Sequence, residues 1–313
     1  MTIEQIGFTI SVINMKIGLL ESRLDPFIND LLEKLGGLPV DFITFSGQVI
    51  PLKSDYRVVV DRLSFRHTFL QEMLKNHSLN GCYVINNPFS VAATNKLVEV
   101  KICSNLGISV PKTVVLPDTT EQDSLGEIID DLDWQKTIRE VGLPCIIKPY
   151  NGSGWEHVYR VNSEEELKVA YEKVKHRHVV LVQEAIQFQD YFRVFCIGKK
   201  DVLFIKWIPR PLGMGQYLLF DSESLGVNRD IIARQTIELN KTLDLDINAV
   251  EWCVNQEGKA WLIEAYNEVP DIDKRSIPVP YYDWILEKFA GLVKEKFDSA
   301  ERNKTSLGIK DCF

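Results

Sequence analysis

The chain has 313 residues, 45% of them hydrophobic and 26% charged, with a net charge of −8 at pH 7. That length and balance fit an ordinary soluble globular protein with one large or two to three small domains. The acidity argues against general nucleic-acid binding, which needs a basic face, and no apolar run approaches the ~20 residues of a membrane span.

The first 95 residues predict a small α/β unit. Asp25-Pro26 opens a helix, with a capping side chain followed by proline in the first turn. Phe27, Ile28, Leu31, Leu32 and Leu35 follow at helical spacing, and Gly36-Gly37 ends the run. DFITF (41–45), YRVVVDRLSF (56–65) and GCYVINNPF (81–89) predict strands. Thr94 opens a predicted helix, TNKLVEVKICSNLG, and ISVPKTVVLP leads out of it in extended form. The acidic segment 118–135 predicts a connecting loop with some helix.

A second unit starts at PCIIKP (144–149), a short buried strand followed by the loop Asn151-Gly152-Ser153-Gly154-Trp155. Ser163-Glu164-Glu165-Glu166 is a capping box that starts a helix ending among Lys173, Lys175, His176 and Arg177, where positive charge suits the dipole. VVLVQEAI (179–186) is rich in β-formers. FRVFCIG and DVLFIKWIP flank Lys199-Lys200 as one predicted hairpin, and INAVEWCVN and AWLIEAYN flank Gln256–Lys259 as another. A C-terminal helix, YYDWILEKFAGLVKEKF, closes the domain, and residues 301–313 are expected to fray. Loop 209–230 carries no readable pattern.

Cys82, Cys103, Cys145, Cys196, Cys253 and Cys312 form no C-x-x-C pair. Their spacing suits neither a zinc site nor a disulfide framework, and most lie among apolar neighbours as small core residues do. The N-terminal MTIEQIGFTI lacks the basic start of a secretory signal. A reducing cytoplasm is the expected compartment.

The second hairpin carries the strongest local signal. Either a two-residue or a four-residue loop around Glu257-Gly258 sets Glu251 directly across from Glu264 on one face of the sheet. Such partners have Cβ atoms ~5 Å apart, and like charges there repel. Two part-buried carboxylates so close need a shared proton or a cation. Hard oxygen ligands in this arrangement suit Mg²⁺, with Asn267 and Asp271 just beyond able to add oxygens. The plainer readings are a solvated hairpin face or a pair sharing a proton.

Lys148 ends a strand beside the glycine loop, whose successive N–H groups can face an anion. Lys96, in the first turn of its helix, opposes the helix dipole unless an anionic ligand lies nearby. A plain turn and a solvent-facing lysine are the alternatives.

Taken in order, an Asn-Lys pair opening a helix, G-I-x-V-P-K-T, P-C-I-I-K-P with a glycine loop, V-Q-E-A-I, F-R-V-F-C-I-G, and paired acids followed by Asn267 resemble the ATP-grasp superfamily over residues 80–295. NNPF, GSGWEHVYRV, DYFRVFCIG and NAVEW together resemble a separate group within it, sharing only the general plan with glutathione synthetases and D-alanine–D-alanine ligases. The resemblance implies a mixed α+β and α/β chain, with an ATP-grasp fold following an N-terminal α/β (pre-ATP-grasp) domain. It divides the chain into residues 1–95, a central lid subdomain at 96–186, and a C-terminal subdomain at 187–300.

The resemblance also implies site roles. Lys96 and Lys148 contact the ATP phosphates, and Gly152, Ser153, Gly154 and Trp155 form the lid over them. The main chain of Gln183 and Ile186 reads the adenine edge, with Glu184 beside it, and Asp190 holds the ribose. Glu251, Glu264 and Asn267 bind Mg²⁺. Arg193 and Lys206 point into the same cleft to stabilise transferred phosphate, with Arg210 as a further candidate. In many relatives an Asp stands where Glu251 does, and an E-x-N where this chain has Glu264-Ala265-Tyr266-Asn267. The longer spacing puts Asn267 in a different strand phase unless a bulge restores it.

The implied reaction joins a small-molecule carboxylate to an amine. The carboxylate attacks the γ-phosphate to give an acyl phosphate, which the amine then takes. Nucleic acid and membrane are not expected partners, and a homodimer is a fair prior. The alternatives are an inositol phosphate kinase-like enzyme, which needs a strongly basic substrate pocket, a non-catalytic ATP-binding protein, and a structural α/β protein with solvated hairpin acids.

Overall fold

A computed structural model describes residues 15–45, 52–118, 132–151, 156–175, 179–208, 217–299 and 301–305. These residues divide into two compact units, Met1–Phe89 with Phe289–Phe313, and Ser90–Lys288.

The first unit is a parallel sheet flanked by helices. Strands β1 (Lys16–Leu20), β2 (Val40–Phe42), β3 (Tyr56–Asp61) and β4 (Tyr83–Ile85) lie in the order β2-β1-β3-β4. Helix α1 (Pro26–Leu35) starts as its sequence predicts: Asp25 Oδ1 accepts the Phe27 N–H at 2.9 Å. It ends at Gly36, whose φ of 47° suits a residue without a Cβ. Phe27, Ile28, Leu31 and Leu35 form its buried stripe. Helix α2 (Thr68–Leu79) buries Met73, Leu74 and His77.

The expected fraying of the C-terminal segment is corrected over 301–305. Asn303 lies against β4, which is the edge strand of its sheet among the described residues. Its amide donates to the Val84 C=O at 2.9 Å and accepts the Val84 N–H at 2.7 Å, so one side chain stands in for a missing strand. The predicted division also differs here, because the chain from Phe289 onward groups with the first unit.

The second unit holds α3 (Pro88–Ala93) from Ser90 onward, α4 (Lys96–Asn105) and two antiparallel sheets. The α4 cap is Asn95, one residue later than predicted, and Asn95 Oδ1 accepts from both Leu97 and Val98 N–H at 3.0 Å. The first sheet, ordered β5-β8-β6-β7, consists of β5 (Thr113–Leu116), β6 (Cys145–Pro149), β7 (Tyr159–Val161) and β8 (Val180–Glu184). Helices α5 (Trp134–Val141) and α6 (Glu164–Val174) belong to this part of the chain. Leu116, Val141, Cys145, Ile147, Leu167, Tyr171, Val180 and Val182 share its core. Ser163 caps α6 by accepting the Glu166 N–H at 3.1 Å, while Glu166 reaches back to the N–H of Asn162 at 2.7 Å.

The second sheet comprises β9 (Asp190–Ile197), β10 (Asp201–Trp207), β11 (Tyr217–Leu218), β12 (Ile247–Val254) and β13 (Ala260–Glu264), in the order β11-β10-β9-β12-β13. One face packs on α7 (Val227–Thr242) through Phe192, Val194, Val250, Trp252, Ile232 and Leu239. Trp252 is fully buried and donates its indole N–H to Thr236 Oγ1 at 3.1 Å. Helix α7 lies within and beyond the stretch 209–230 that gave no pattern. Its buried positions, Ile232, Thr236, Leu239 and Asn240, include two polar residues that dilute the apolar stripe. Helix α8 (Val279–Asp298) completes the elements. No helix among the described residues is long and apolar enough to cross a membrane. Cys82, Cys103, Cys145, Cys196 and Cys253 are buried and free.

Candidate functional site

The hairpin of β12 and β13 does not run in the uniform register its sequence predicts. Val254 stands opposite Ala260, Cys253 opposite Trp261 and Trp252 opposite Leu262, so the loop is Asn255–Lys259. A register shift between Glu251 and Trp252 then sets Glu251 directly across from Glu264. The expected pair is present, and a bulge creates it. Had the ladder stayed regular, Glu251 would face Ile263.

Arg193 extends the row by one strand, because it lies opposite Glu251 in the β9–β12 ladder. Partners across a ladder share a face, so Arg193, Glu251 and Glu264 form one transverse line on the face away from Trp252. Arg193 Nη2 and Nε reach Glu251 Oε1 at 2.6 and 3.1 Å, and Tyr191 donates its hydroxyl to Oε2 at 2.5 Å. Trp207 lies under the guanidinium at 4.2 Å, and Arg193 Nη1 donates to the Tyr217 hydroxyl at 2.7 Å. Arg193 and Glu251 are both buried, so each neutralises the other out of water.

Glu264 has its own cation. Lys96 donates from its ammonium to Glu264 Oε1. The expected clash of Lys96 with the helix dipole is thus met by a carboxylate from β13. Helix α4 also touches the end of β6, since the Lys96 N–H donates to the Tyr150 C=O at 3.2 Å. That contact places Lys148, 7% exposed on β6, in the same small cavity as Lys96, Glu99 and Gln183, closed by Val100, Val110, Leu262 and Ile263.

The two lysines respond differently to their common surroundings. Burial opposes charge on Lys96, but Glu264 and Glu99 outweigh it and hold the ammonium above its ordinary range. Burial also dominates Lys148 and lowers it, and the neighbouring Lys96 charge adds to the lowering against the pull of Glu264. For Glu264, burial alone raises the carboxyl, but Lys96 and Lys148 prevail and hold it below the usual carboxylate range. Burial pushes the Glu99 carboxyl up to about 7, against the pull of Lys96. Glu99 is a site residue that the sequence reading missed. One turn after Lys96, it reads as a routine helical acid, and only the burial of this face makes it unusual.

Other candidates fall differently. Gln183 lies inside the ladder between Thr113 and Ile146, on the same face as Lys148, and its side chain donates to Thr113 Oγ1 at 3.0 Å. Its side chain borders the cavity that holds Lys96 and Lys148. Glu184 accepts the Lys112 N–H at 3.3 Å, and Ile186 follows in half-buried chain after β8. Lys206 stands opposite Phe192, on the face away from Arg193, and pairs with Asp190 at 3.2 Å. The expectation that Arg193 and Lys206 point into one cleft is corrected by this strand parity. Asp190 shares the Lys206 face. Gly152, Ser153, Gly154, Trp155 and Arg210 lie outside the described residues.

Asn267 keeps a free side-chain amide among the described residues, while its main chain is tied to β12. Two carboxylates facing each other across strands, with an amide just beyond, offer hard oxygen donors of the kind Mg²⁺ takes alongside phosphate oxygens. Among the described residues no group of three or more His, Cys, Asp or Glu is placed to hold a metal. The acids alone therefore make an incomplete shell.

The fold is the ATP-grasp fold, shared with ligases of known structure. The ATP-grasp ligase PsnB, solved with its minimal precursor, is similar at a TM-score of 0.62 and 16% identity, covering 90% of this chain and 99% of that one. Its complex with precursor peptide PsnA2 and AMPPNP gives 0.62 and 16%, over 91% and 99%. D-alanine–D-alanine ligase from Bacillus anthracis, solved with ATP, gives 0.63 and 18%, over 90% and 97%. No protein-family model matches the sequence, and no curated protein does. At these identities the likeness establishes the fold.

Proposed function

We propose that this chain is an Mg²⁺- and ATP-dependent ligase that activates a substrate carboxylate as an acyl phosphate for attack by an amine. The observation that carries the reading is the line Arg193–Glu251–Glu264, with Lys96 and Lys148 converging on its end. Three cations and three acids, Glu99 included, on one largely buried patch are costly for a protein that does not use them.

Glu251, Glu264 and Asn267 are the residues that would hold the ion. Bound there, Mg²⁺ supplies charge neutralisation for the phosphates and orients them. Once the acids have a divalent counter-charge, Arg193 and Lys96 are no longer needed to neutralise them and become available to phosphate oxygens. Lys148, with no acid hydrogen-bonded to it among the described residues, is available from the start. The Trp207 ring and the Tyr191 hydroxyl limit how far Arg193 and Glu251 can swing, which pre-organises the line.

In the reaction, a carboxylate oxygen of the substrate attacks the γ-phosphorus in line and the bond to the β-phosphate oxygen breaks, leaving ADP and an acyl phosphate. The amine nitrogen then bonds to the acyl carbon, inorganic phosphate leaves, and the amine loses a proton to solvent or to the departing phosphate. No covalent protein nucleophile is required. PsnB is complexed with a precursor peptide, so peptide carboxylates belong in the substrate screen beside amino acids and small dicarboxylates.

The test is phosphate release from Mg-ATP across that screen, with hydroxylamine added. An acyl phosphate is trapped as a hydroxamate. A stable phosphorylated product formed without any amine would instead identify a kinase.

A further inference from the structure

The chain leaving β13 is held by buried side chains. Ala265 donates its N–H to Glu99 Oε2 at 3.0 Å, and its C=O accepts from Asn248 Nδ2 at 2.8 Å. Two residues on, the Asn267 N–H donates to Asn248 Oδ1 at 2.8 Å, and its C=O accepts the Ala249 N–H at 3.3 Å. Asn248 is 0% exposed on β12, and Glu99 is 4% exposed on α4. One side-chain amide therefore spans the segment from Ala265 to Asn267, its donor on a carbonyl and its acceptor on an N–H. Among side chains of this size only asparagine carries both groups at one end, and the two partners fix which way the amide is turned.

This arrangement answers the spacing problem in the sequence. With two residues between Glu264 and Asn267, a continuing strand would carry their side chains to opposite faces. The strand stops at Glu264 instead. Ala265, 0% exposed, turns into the core, and Asn248 substitutes for the main-chain pairing that the extra residue disrupts.

We propose that Asn248, with Glu99 behind it, is a positioning residue that sets Asn267 relative to Glu264 so that both serve one metal ion. The proposal rests on the metal reading above, and it assigns Asn248 a role that touches neither nucleotide nor ion. Leaving the Ala265 carbonyl and Asn267 N–H unpaired in a buried site carries a desolvation cost that moving the segment relieves. Movement there displaces the Asn267 amide while the lysines, held by α4 and β6, stay in place.

The experiment is calorimetric titration of ADP, with and without Mg²⁺, into the full chain and its Asn248→Ala, Asn248→Asp and Glu264→Gln variants. The ratio of the two affinities is the metal increment. In Asn248→Ala the metal-free affinity stays near wild type while the increment falls by about 10- to 100-fold, the usual effect of removing a group that orients a ligand. Asn248→Asp keeps the acceptor for Asn267 but loses the donor to Ala265. It shows the same direction of change and decides the matter alone if the alanine variant does not fold. An unchanged increment in a folded variant overturns the proposal, as does an equal loss of affinity with and without metal. A wild-type chain with no increment, or a Glu264→Gln variant that retains it, defeats the metal reading itself, and neither result involves Asn248.

Discussion

Arg193 and Glu251 stand directly across from each other on neighbouring strands, and two guanidinium nitrogens reach one carboxylate oxygen at 2.6 and 3.1 Å. Both are buried, and the second carboxylate oxygen is held by the Tyr191 hydroxyl. Glu251 is therefore fully partnered without a metal, and binding an ion requires it to exchange one counter-charge for another.

That exchange can be measured. Arg193→Ala leaves a buried carboxylate without its cation, which costs about 3–5 kcal/mol. Urea denaturation in a chelating buffer reads the loss. Mg²⁺ with ADP then restores more stability to the variant than it adds to the wild type, because the ion takes over the neutralising role. Equal stabilisation of both would show that Glu251 is not a metal ligand.

Lys148 behaves oppositely. It is buried without an acid partner among the described residues, and burial lowers its ammonium from the ordinary lysine range. Lys148→Met removes a buried charge that donates to no acid among the described residues, and it keeps most of the side-chain volume. The melting temperature without nucleotide stays level or rises, while ATP affinity drops by about tenfold or more, the equivalent of one charge-assisted hydrogen bond. A marked fall in the melting temperature would place Lys148 in the structural core of the unit rather than in the nucleotide site.

His77 gives the first unit a pH dependence. Its Nδ1 lies 2.7 Å from Ser54 Oγ, and burial lowers the imidazole from its ordinary value of 6.5. The unfolded chain takes up a proton near 6.5 while the folded chain resists it, so stability is complete above that pH and declines as pH falls below it. Melting temperatures of the wild type and His77→Gln between pH 8 and 5 should converge toward the acid end. Parallel curves would remove His77 as the cause.

The sequence made the Glu251–Glu264 pair legible because a hairpin has few registers, and each reasonable loop put the two acids together. It reached that pair through a regular ladder, whereas the molecule uses a longer loop and a bulge, features with no composition signal here. Lys206 was misplaced because nothing in DVLFIKWIP alone says which alternate set faces the site. The answer comes from its pairing with Phe192. Helix α7 escaped notice because Thr236 and Asn240 stand on its buried side, where Thr236 serves the Trp252 indole and Asn240 bonds back to the Thr236 carbonyl. Glu99 and Asn248 were invisible for a related reason: their function is to satisfy main-chain groups whose exposure only the tertiary structure determines.

The central claim is that Glu251 and Glu264 jointly carry a divalent ion for a bound nucleotide. Titration of ADP into the wild type, Glu251→Gln and Glu264→Gln, each with and without Mg²⁺, tests it most directly. The account predicts that Mg²⁺ tightens binding to the wild type and that either substitution abolishes that gain while cooperative melting persists. Mg²⁺ tightening ADP equally in all three would contradict it.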